Sequence, residues 1–361
     1  VSEKRIVLVL GTRPEVIKLS PLVRECQRRD ASCTIVHTGQ HYSEELDAVF
    51  FDELKLPAPD YNLEVGSGSH GRQTGEMLAE IEAALLELDP DVVLVQGDTN
   101  SVLAGAIATS KLDTELGHIE AGLRSFDREM PEEINRVLTD HAADYLFAPT
   151  SETATLLEDE GIPDDRVYVT GNTIVDAVQQ NREIAVDKST VLADNGLNPD
   201  EFILLTAHRA ENVDDRNQLT RLLSAVNGVT DELELPVIYP IHPRTRKRLD
   251  EFELSVPDSV TLVDPLDFLD FLRLEDEAAL ILTDSGGVQE EACILGTPCV
   301  TLRDSTERPE TVDAGANVVA GTYPDAVLEA AQRMNESKGD WPNPFGDGTA
   351  ATQILDVILD E

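Results

Sequence analysis

Short, almost uninterrupted apolar runs recur along this chain, separated by longer stretches whose apolar positions repeat at helical spacing. Runs of strand length fall at residues 6–10, 34–36, 92–95, 145–147 and 167–169. A second series follows at 202–205, 237–239, 260–263, 279–282 and 299–302. Between them lie helical patterns such as 74–88 and 219–229, and a last one, 350–359, follows the turn-rich stretch Asn343-Pro344-Phe345-Gly346-Asp347-Gly348. A strand that is apolar on both faces belongs inside a parallel sheet covered by helices, and strict alternation of strand and helix is the pattern of a doubly wound α/β domain. Two series of strands predict two such domains, residues 1–172 and 173–349, with the break near Gly171-Asn172-Thr173. At 361 residues the chain is also too long for one comfortable core.

Composition then narrows the function. The chain carries 28 basic and 70 acidic residues, a formal net charge of −42. A nucleic-acid partner is disfavoured, because such binders carry basic surfaces. Disorder is disfavoured by the regular apolar strands. What remains is a folded protein whose acidic surface stays hydrated in concentrated salt, as in a salt-loving cell. No apolar run has the length of a membrane span, and residues 1–9 show no signal-peptide pattern, so no membrane partner and a cytoplasmic location are expected. The four cysteines, Cys26, Cys33, Cys293 and Cys299, form no C-x-x-C pair and no zinc-type spacing; they read as small buried residues, and no metal is expected.

In open parallel sheets ligands bind beyond the carboxyl ends of the strands, so the residues that follow each strand carry the functional information. Gly11-Thr12-Arg13-Pro14-Glu15 follows the first strand, with Lys18 one turn on. It is either an anion site, with Arg13 and Lys18 beside exposed helix N–H groups, or an ordinary strand–helix turn with two solvated cations. Gln96-Gly97-Asp98-Thr99-Asn100 follows another strand; Asp98 is a candidate acid or simply a helix cap. After the next strand comes Gly117-His118-Ile119-Glu120, and Met130-Pro131-Glu132-Glu133 opens a further helix, where acidic residues also suit the helix dipole. Placement after strands, rather than number in so acidic a chain, marks Asp98, Glu120 and Glu132 as carboxylates that would converge on one cleft. Crowded carboxylates have their pKa values pushed apart, which permits an acid and a base side by side. In the second series His208 and His242 follow strands and are either site residues or satisfied structural histidines. Arg244, Arg246, Lys247 and Arg248 form either a solvated helix face or an attraction for an anionic substrate. The sharpest local signal is Thr283-Asp284-Ser285-Gly286-Gly287, where a strand runs into a helix; the Ser285 hydroxyl and the bare N–H groups of Gly286 and Gly287 suit a diphosphate, and Glu291 lies within reach of a ribose.

With these motifs in hand, the chain resembles the non-hydrolysing UDP-N-acetylglucosamine 2-epimerases, particularly archaeal members. The motifs shared are Gly11-Thr12-Arg13-Pro14-Glu15, Gln96-Gly97-Asp98-Thr99, Ile119-Glu120-Ala121-Gly122-Leu123-Arg124, Met130-Pro131-Glu132-Glu133-Ile134-Asn135-Arg136, Ala207-His208-Arg209, Thr283-Asp284-Ser285-Gly286-Gly287 and Thr306-Glu307-Arg308-Pro309-Glu310. The resemblance implies a glycosyltransferase-B-like fold of two Rossmann-like domains. It puts the active site in the interdomain cleft and returns the last helix, 350–361, to the first domain. It also implies a homodimer acting on a UDP-sugar with no metal and no other cofactor. It makes Asp98, Glu120 and Glu132 the catalytic carboxylates and His208 a catalytic or leaving-group partner. Arg13, Lys18, His242, Ser285, Gly286, Gly287 and Glu291 would hold UDP, Phe271 would lie near the uracil, and Arg136 and Arg308 near the substrate. The implied chemistry is elimination of UDP across C1 and C2 of the sugar to a 2-acetamidoglucal, then re-addition with the C2 proton delivered to the opposite face.

Two departures qualify the resemblance. Bacterial members activated by a second UDP-N-acetylglucosamine carry two glutamines where this chain has Gln40 and Ser43. The stretches 37–41, 70–75 and 125–128 are also similar to the 2-epimerases of UDP-2,3-diacetamido-2,3-dideoxyglucuronic acid, whereas Glu307-Arg308-Pro309-Glu310 favours the N-acetylglucosamine substrate. The remaining rivals are a glycosyltransferase of the same fold, which needs an acceptor, a hydrolysing epimerase and a non-catalytic UDP-sugar sensor.

The charge excess makes one prediction independent of function. Self-repulsion opposes folding in dilute buffer, and molar salt shortens the Debye length to about 3 Å. The melting temperature is therefore expected to rise steeply with KCl and folded structure to be lost below moderate salt. A melting temperature that is flat from low to high KCl, followed by circular dichroism, contradicts this.

Overall fold

The computed structural model describes residues 4–40, 44–337, 339 and 341–360. They divide into two compact units, Val1–Ala177 with Phe345–Glu361, and Val178–Pro344. The chain passes from the first unit to the second within the helix Thr173–Lys188.

The first unit holds β1 (Ile6–Leu10), β2 (Cys33–His37), β3 (Tyr61–Asn62), β4 (Val92–Gln96), β5 (Glu115–Ile119), β6 (Tyr145–Ala148) and β7 (Val167–Val169). They form a seven-stranded sheet in the order β3-β2-β1-β4-β5-β6-β7. The second unit holds β8 (Ile203–Thr206), β9 (Val237–Pro240), β10 (Val260–Val263), β11 (Leu280–Thr283), β12 (Cys299–Thr301) and β13 (Asn317–Val319), in the order β10-β9-β8-β11-β12-β13. All the pairings are parallel. Each sheet starts near its middle, winds one way through three strands, then returns to the other side of its first strand. The order therefore reverses between β1 and β4 in one unit and between β8 and β11 in the other, and a crevice opens at such a reversal.

The apolar runs form strands because both faces of each sheet are covered. In β8, Ile203 and Leu205 enter one buried cluster while Leu204, with Phe202 just before the strand, enters another. Strands with weaker apolar runs are the ones the pattern does not announce. β3 and β13 are edge strands of two and three residues. β5 runs through Gly117, His118 and Ile119, residues that the pattern places after a strand. Gly117 is required there, since a Cβ would lie 2.5 Å from Leu94 Cδ2 and 3.1 Å from Phe147 Cε2.

The final helix, Ala350–Asp360, belongs to the first unit. Ile354, Leu355 and Ile358 are fully buried, and the helix packs on Arg13–Arg28. Its orphan N–H groups are met by Asp176, a buried carboxylate that accepts from Ala350 N at 3.3 Å and Ala351 N at 3.0 Å. Burial raises the Asp176 pKa, and the two amides oppose that rise. Arg29 adds an ion pair to Asp356 at 2.7 Å. Asp176→Ala should therefore lower stability by about 1–2 kcal/mol, the ordinary loss for a capping acceptor. Limited proteolysis with mass spectrometry should show the C-terminal helix released before the rest of the unit is cut; unchanged melting and unchanged cleavage contradict the assignment.

Candidate active site

In the first unit the turn after β1 is built around Glu15. With Thr12 as N-cap and Pro14 in the first turn, Glu15 lies three residues into the helix Arg13–Arg28, the place from which a side chain reaches back to the start of its own helix. Its Oε2 accepts from Gly11 N at 3.0 Å and Thr12 Oγ1 at 2.7 Å, and its Oε1 accepts from Thr99 Oγ1 at 2.8 Å. Full burial pushes its pKa up to about 7 against these donors. The loop after β1 is thereby tied to the loop after β4. Thr99, rather than Asp98, caps the helix Asn100–Thr109, accepting from Val102 N. That leaves the Asp98 side chain outside the capping role, where it pairs with Arg136.

Asp98, Glu132 and Arg13 line one cavity of about 570 Å³, with Gln40, His70 and Asn135 among its other walls. Arg13 lies with its guanidinium carbon 5.3 Å from the centre of the Phe50 ring, a cation–π arrangement. The Glu132 carboxylate has no ion-pair or hydrogen-bond partner among the described residues. Its neighbour Glu133 turns away and accepts from Ser125 N at 2.8 Å, Phe126 N at 3.0 Å and Arg136 Nη1 at 3.0 Å. Burial works to raise the Glu133 pKa, but these donors outweigh it and hold the group below the usual carboxylate range. Arg136 thus bridges Asp98 and Glu133.

Glu120 does not line this cavity. It is buried behind Gly97, with Oε2 3.6 Å from where a Gly97 Cβ would be. Lys18 Nζ meets its Oε1 at 2.6 Å, Asn172 Nδ2 donates to the same oxygen at 2.9 Å, and Gln96 donates to Oε2. Glu120 adopts a left-handed backbone, φ 67°, which bends the chain off β5 and turns the side chain back to these donors. Lys18 is accordingly half of an ion pair, not a solvated cation. Gln40, one of the two positions where activated bacterial members carry glutamine, is also committed: its Oε1 accepts from Ser101 N at 3.1 Å and Ser101 Oγ at 2.7 Å. Ser43 lies outside the described residues.

The second unit has its own arrangement at the reversal between β8 and β11. Asp284, fully buried at the end of β11, accepts from His208 N at 3.0 Å, Arg209 N at 2.9 Å and Asn212 Nδ2 at 3.0 Å. The loop after β8 is thereby fixed. The His208 ring stacks on His242 with centroids 5.5 Å apart, so the two predicted histidines are neighbours. Burial lowers the His208 pKa, and the charge of Asp284 works against that. His242 also caps the helix Pro243–Phe252, its Nδ1 accepting from Arg244 N at 3.1 Å. The basic cluster beyond it is paired: Arg244 and Arg248 with Asp214, Arg246 with Asp264, and Lys247 with Glu251.

Ser285 is the N-cap of the helix Gly286–Leu295 and makes no side-chain cap bond. A Cβ at Gly286 or Gly287 would meet nothing closer than 4.0 Å, so a ligand can approach the backbone here. The atom at 4.0 Å from Gly286 is a carboxylate oxygen of Glu307. Two contacts from buried Arg303, at 2.6 and 2.8 Å, hold the Glu307 pKa down to about 2. Glu291 stands further along the same helix beside Glu275. Burial and the charge of Glu291 push the Glu275 pKa well up. Arg308 pairs with Glu290 at 2.7 Å, and Phe271 is half-buried against the one of the second unit's two apolar clusters that holds Phe202 and Leu204. Sequence reasoning passed over Glu15, Gln96, Asn172 and Asp284 as functional residues; Thr12-x-x-Glu15 carries a readable capping signal, whereas the others show only as polar residues at strand ends. Among the described residues no group of three or more histidine, cysteine or carboxylate side chains is placed to hold a metal ion, and no helix is long and apolar enough to cross a membrane.

This geometry can be set beside known proteins. The family model described as UDP-N-acetylglucosamine 2-epimerase matches residues 24–359. A UDP-N-acetylglucosamine 2-epimerase of Methanococcus maripaludis is 51% identical over 363 residues, covering 99% of each chain. The solved UDP-GlcNAc 2-epimerase of Methanocaldococcus jannaschii superposes with a TM-score of 0.92 at 49% identity, covering 99% of this chain and 100% of that one. A crystal structure of that enzyme in complex with UDP-GlcNAc and UDP superposes with a TM-score of 0.84 at 51% identity, again covering 99% and 100%. Two parallel, doubly wound sheets with these motifs at their carboxyl ends, matched over almost their whole length, show that the chain belongs to the UDP-N-acetylglucosamine 2-epimerase family.

Proposed function

We propose that this protein interconverts UDP-N-acetylglucosamine and UDP-N-acetylmannosamine without net hydrolysis. The observation that carries the reading is the joint exposure of Asp98, Glu132 and Arg13 on one cavity at the carboxyl end of the first sheet, with Glu120 held next to Gly97. The sugar C2 proton is not acidic, so direct inversion is slow. Elimination removes that proton to a carboxylate while the C1–O bond breaks, and its electron pair leaves with the diphosphate. The products are a neutral 2-acetamidoglucal, a UDP anion that has gained one negative charge and a carboxylate that has been protonated, so total charge is conserved. Re-addition returns UDP to C1 and a proton to the opposite face of C2. Two faces require two proton-handling groups, and the pair is drawn from Asp98, Glu120 and Glu132.

The departing diphosphate gathers negative charge as the C1–O bond lengthens. Arg13 in the first unit, and His208, His242 and the Ser285-Gly286-Gly287 helix start in the second, are the groups suited to receive it. Glu291 would take the ribose hydroxyls and Phe271 the uracil, while Lys18 acts through Glu120. Arg136 sets Asp98, and Arg308 orders the strip next to Glu291 through Glu290. No metal and no further cofactor enter this scheme. The expected assembly is a homodimer, and the acidic surface fits a salt-rich cytoplasm.

Incubation with UDP-N-acetylglucosamine in D2O at high KCl, followed by NMR at the sugar C2, tests the reading. Deuterium at C2 with UDP-N-acetylmannosamine formed is the expected result. Release of free sugar points instead to hydrolysis, and no change without an acceptor points to a transferase. Asp98→Asn should lower turnover about 10²–10⁴-fold, the usual worth of a proton-transfer group, with UDP binding retained by calorimetry. Full activity in that variant removes Asp98 from the chemistry.

A further inference from the structure

His118 and Asp140 form a buried pair that the scheme above does not use. His118 lies in β5, two positions before Glu120, and is 1% exposed; Asp140 is 0% exposed. Nδ1 of the ring is 2.6 Å from Asp140 Oδ1, and Nε2 is 2.9 Å from the carbonyl oxygen of Gly97. A carbonyl can only accept, so Nε2 carries a hydrogen and donates. Asp140 is itself held: Arg124 Nη1 meets its Oδ2 at 2.7 Å and Gly122 N donates to the same oxygen at 3.2 Å. Burial would raise the Asp140 pKa, yet His118 and Arg124 outweigh it and keep the group below its ordinary range. A bland reading makes this a buried polar network that only stabilises the core. The target of the ring says more. It is not a strand carbonyl but that of Gly97, the residue that turns the chain out of β4 with φ +86°, immediately before Asp98.

The Gly97–Asp98 segment is gripped at three points. Gly97 N donates to Ile119 O at 3.1 Å, Gly97 O receives His118, and Asp98 O receives Asn135 Nδ2 at 2.8 Å. The peptide plane between Gly97 and Asp98 decides where the Asp98 Cβ points, and a glycine with positive φ resists rotation of that plane little by itself. We propose that His118, oriented by Asp140, is a positioning residue that fixes the Gly97–Asp98 peptide and so aims the Asp98 carboxylate at the reacting sugar. The inference rests on Asp98 handling a proton in the proposed reaction.

The side-chain lengths of two replacements separate positioning from bulk stability. The amide of His118→Gln extends to about where Nε2 lies and can still donate to Gly97 O. The amide of His118→Asn ends near Nδ1, where it can serve Asp140 but not Gly97. For His118→Asn we expect kcat to fall roughly 10²-fold, the scale of a misplacement of about 1 Å, with UDP affinity unchanged within about twofold. We also expect faster amide exchange confined to residues 97–99. His118→Gln should recover most of both. Equal losses in the two variants overturn the proposal, as do wild-type kcat and exchange in His118→Asn, or a kcat loss that follows melting temperature and UDP affinity together. The C2 deuterium signal of the wild-type enzyme separately judges the proposed reaction. Should that signal be absent, amide exchange in the two variants still decides whether His118 holds the segment.

Discussion

The carboxylate of Glu120 has been taken out of water at the end of β5, and the groups around it exist in the arrangement that this demands. A buried, unpaired charge is costly enough that proteins supply it with partners or neutralise it. Here the partners come from three separate stretches: Lys18 from the helix after β1, Gln96 from the end of β4 and Asn172 from beyond β7. One side chain thus fixes the relative positions of elements that are far apart in sequence. The cavity walls at Arg13 and Asp98 inherit that order, because Arg13 is in the same helix as Lys18 and Asp98 lies two residues beyond Gln96. Loss of either charge would leave the other buried without its partner, which is more damaging than the removal of a surface pair.

A second constraint repeats in both units. A parallel sheet whose order reverses next to its first strand leaves two loops facing each other with unpaired backbone groups. Each unit ties those loops with one buried acid. In the first, Glu15 after β1 accepts from Thr99 after β4. In the second the direction is reversed: Asp284 at the end of β11 accepts from the His208 and Arg209 amides after β8. The same physical problem is solved by acids of different length placed on opposite loops. The first solution leaves Asp98 available, because Thr99 takes the capping role. The second orients the His208 backbone while its ring stays half exposed against His242.

The sequence announces elements whose apolar pattern has no rival and is silent on those held by partners distant in the chain. β1, β4, β8 and β11 are central, buried on both faces and read directly. β3, β13 and the Gly117-His118 part of β5 are short, peripheral or polar, and their strand character comes from neighbours. Site residues divide in the same way. Asp98, Glu132 and Arg13 stand out because each follows a strand or opens a helix, and the cavity contains all three. Lys18 read as an anion ligand because nothing near it in sequence discloses Glu120. The cluster Arg244–Arg248 read as a possible attraction for substrate because its acids, Asp214 and Asp264, are distant in sequence. Pairing across the fold is set by topology, and local spacing carries no record of it.

The distribution of the few basic residues completes this logic. With 28 bases against 70 acids, most carboxylates have no counter-charge and must rely on water and salt ions. The interior makes a different use of the bases. Arg124 has a side chain 1% exposed, Arg303 8% and Lys18 19%. Arg124 meets Asp140 of the helix Pro131–Ala142, Arg303 meets Glu307 in the loop after β12, and Lys18 meets Glu120 at the end of β5. Mobile ions screen exposed charges separated by more than a Debye length but reach buried contacts much less. Changes in salt should therefore act on the uncompensated surface, while the pairs that shape the strand ends remain intact. A surface tuned to salt and a site ordered by direct contacts can then coexist in one chain, because burial separates the two kinds of electrostatics.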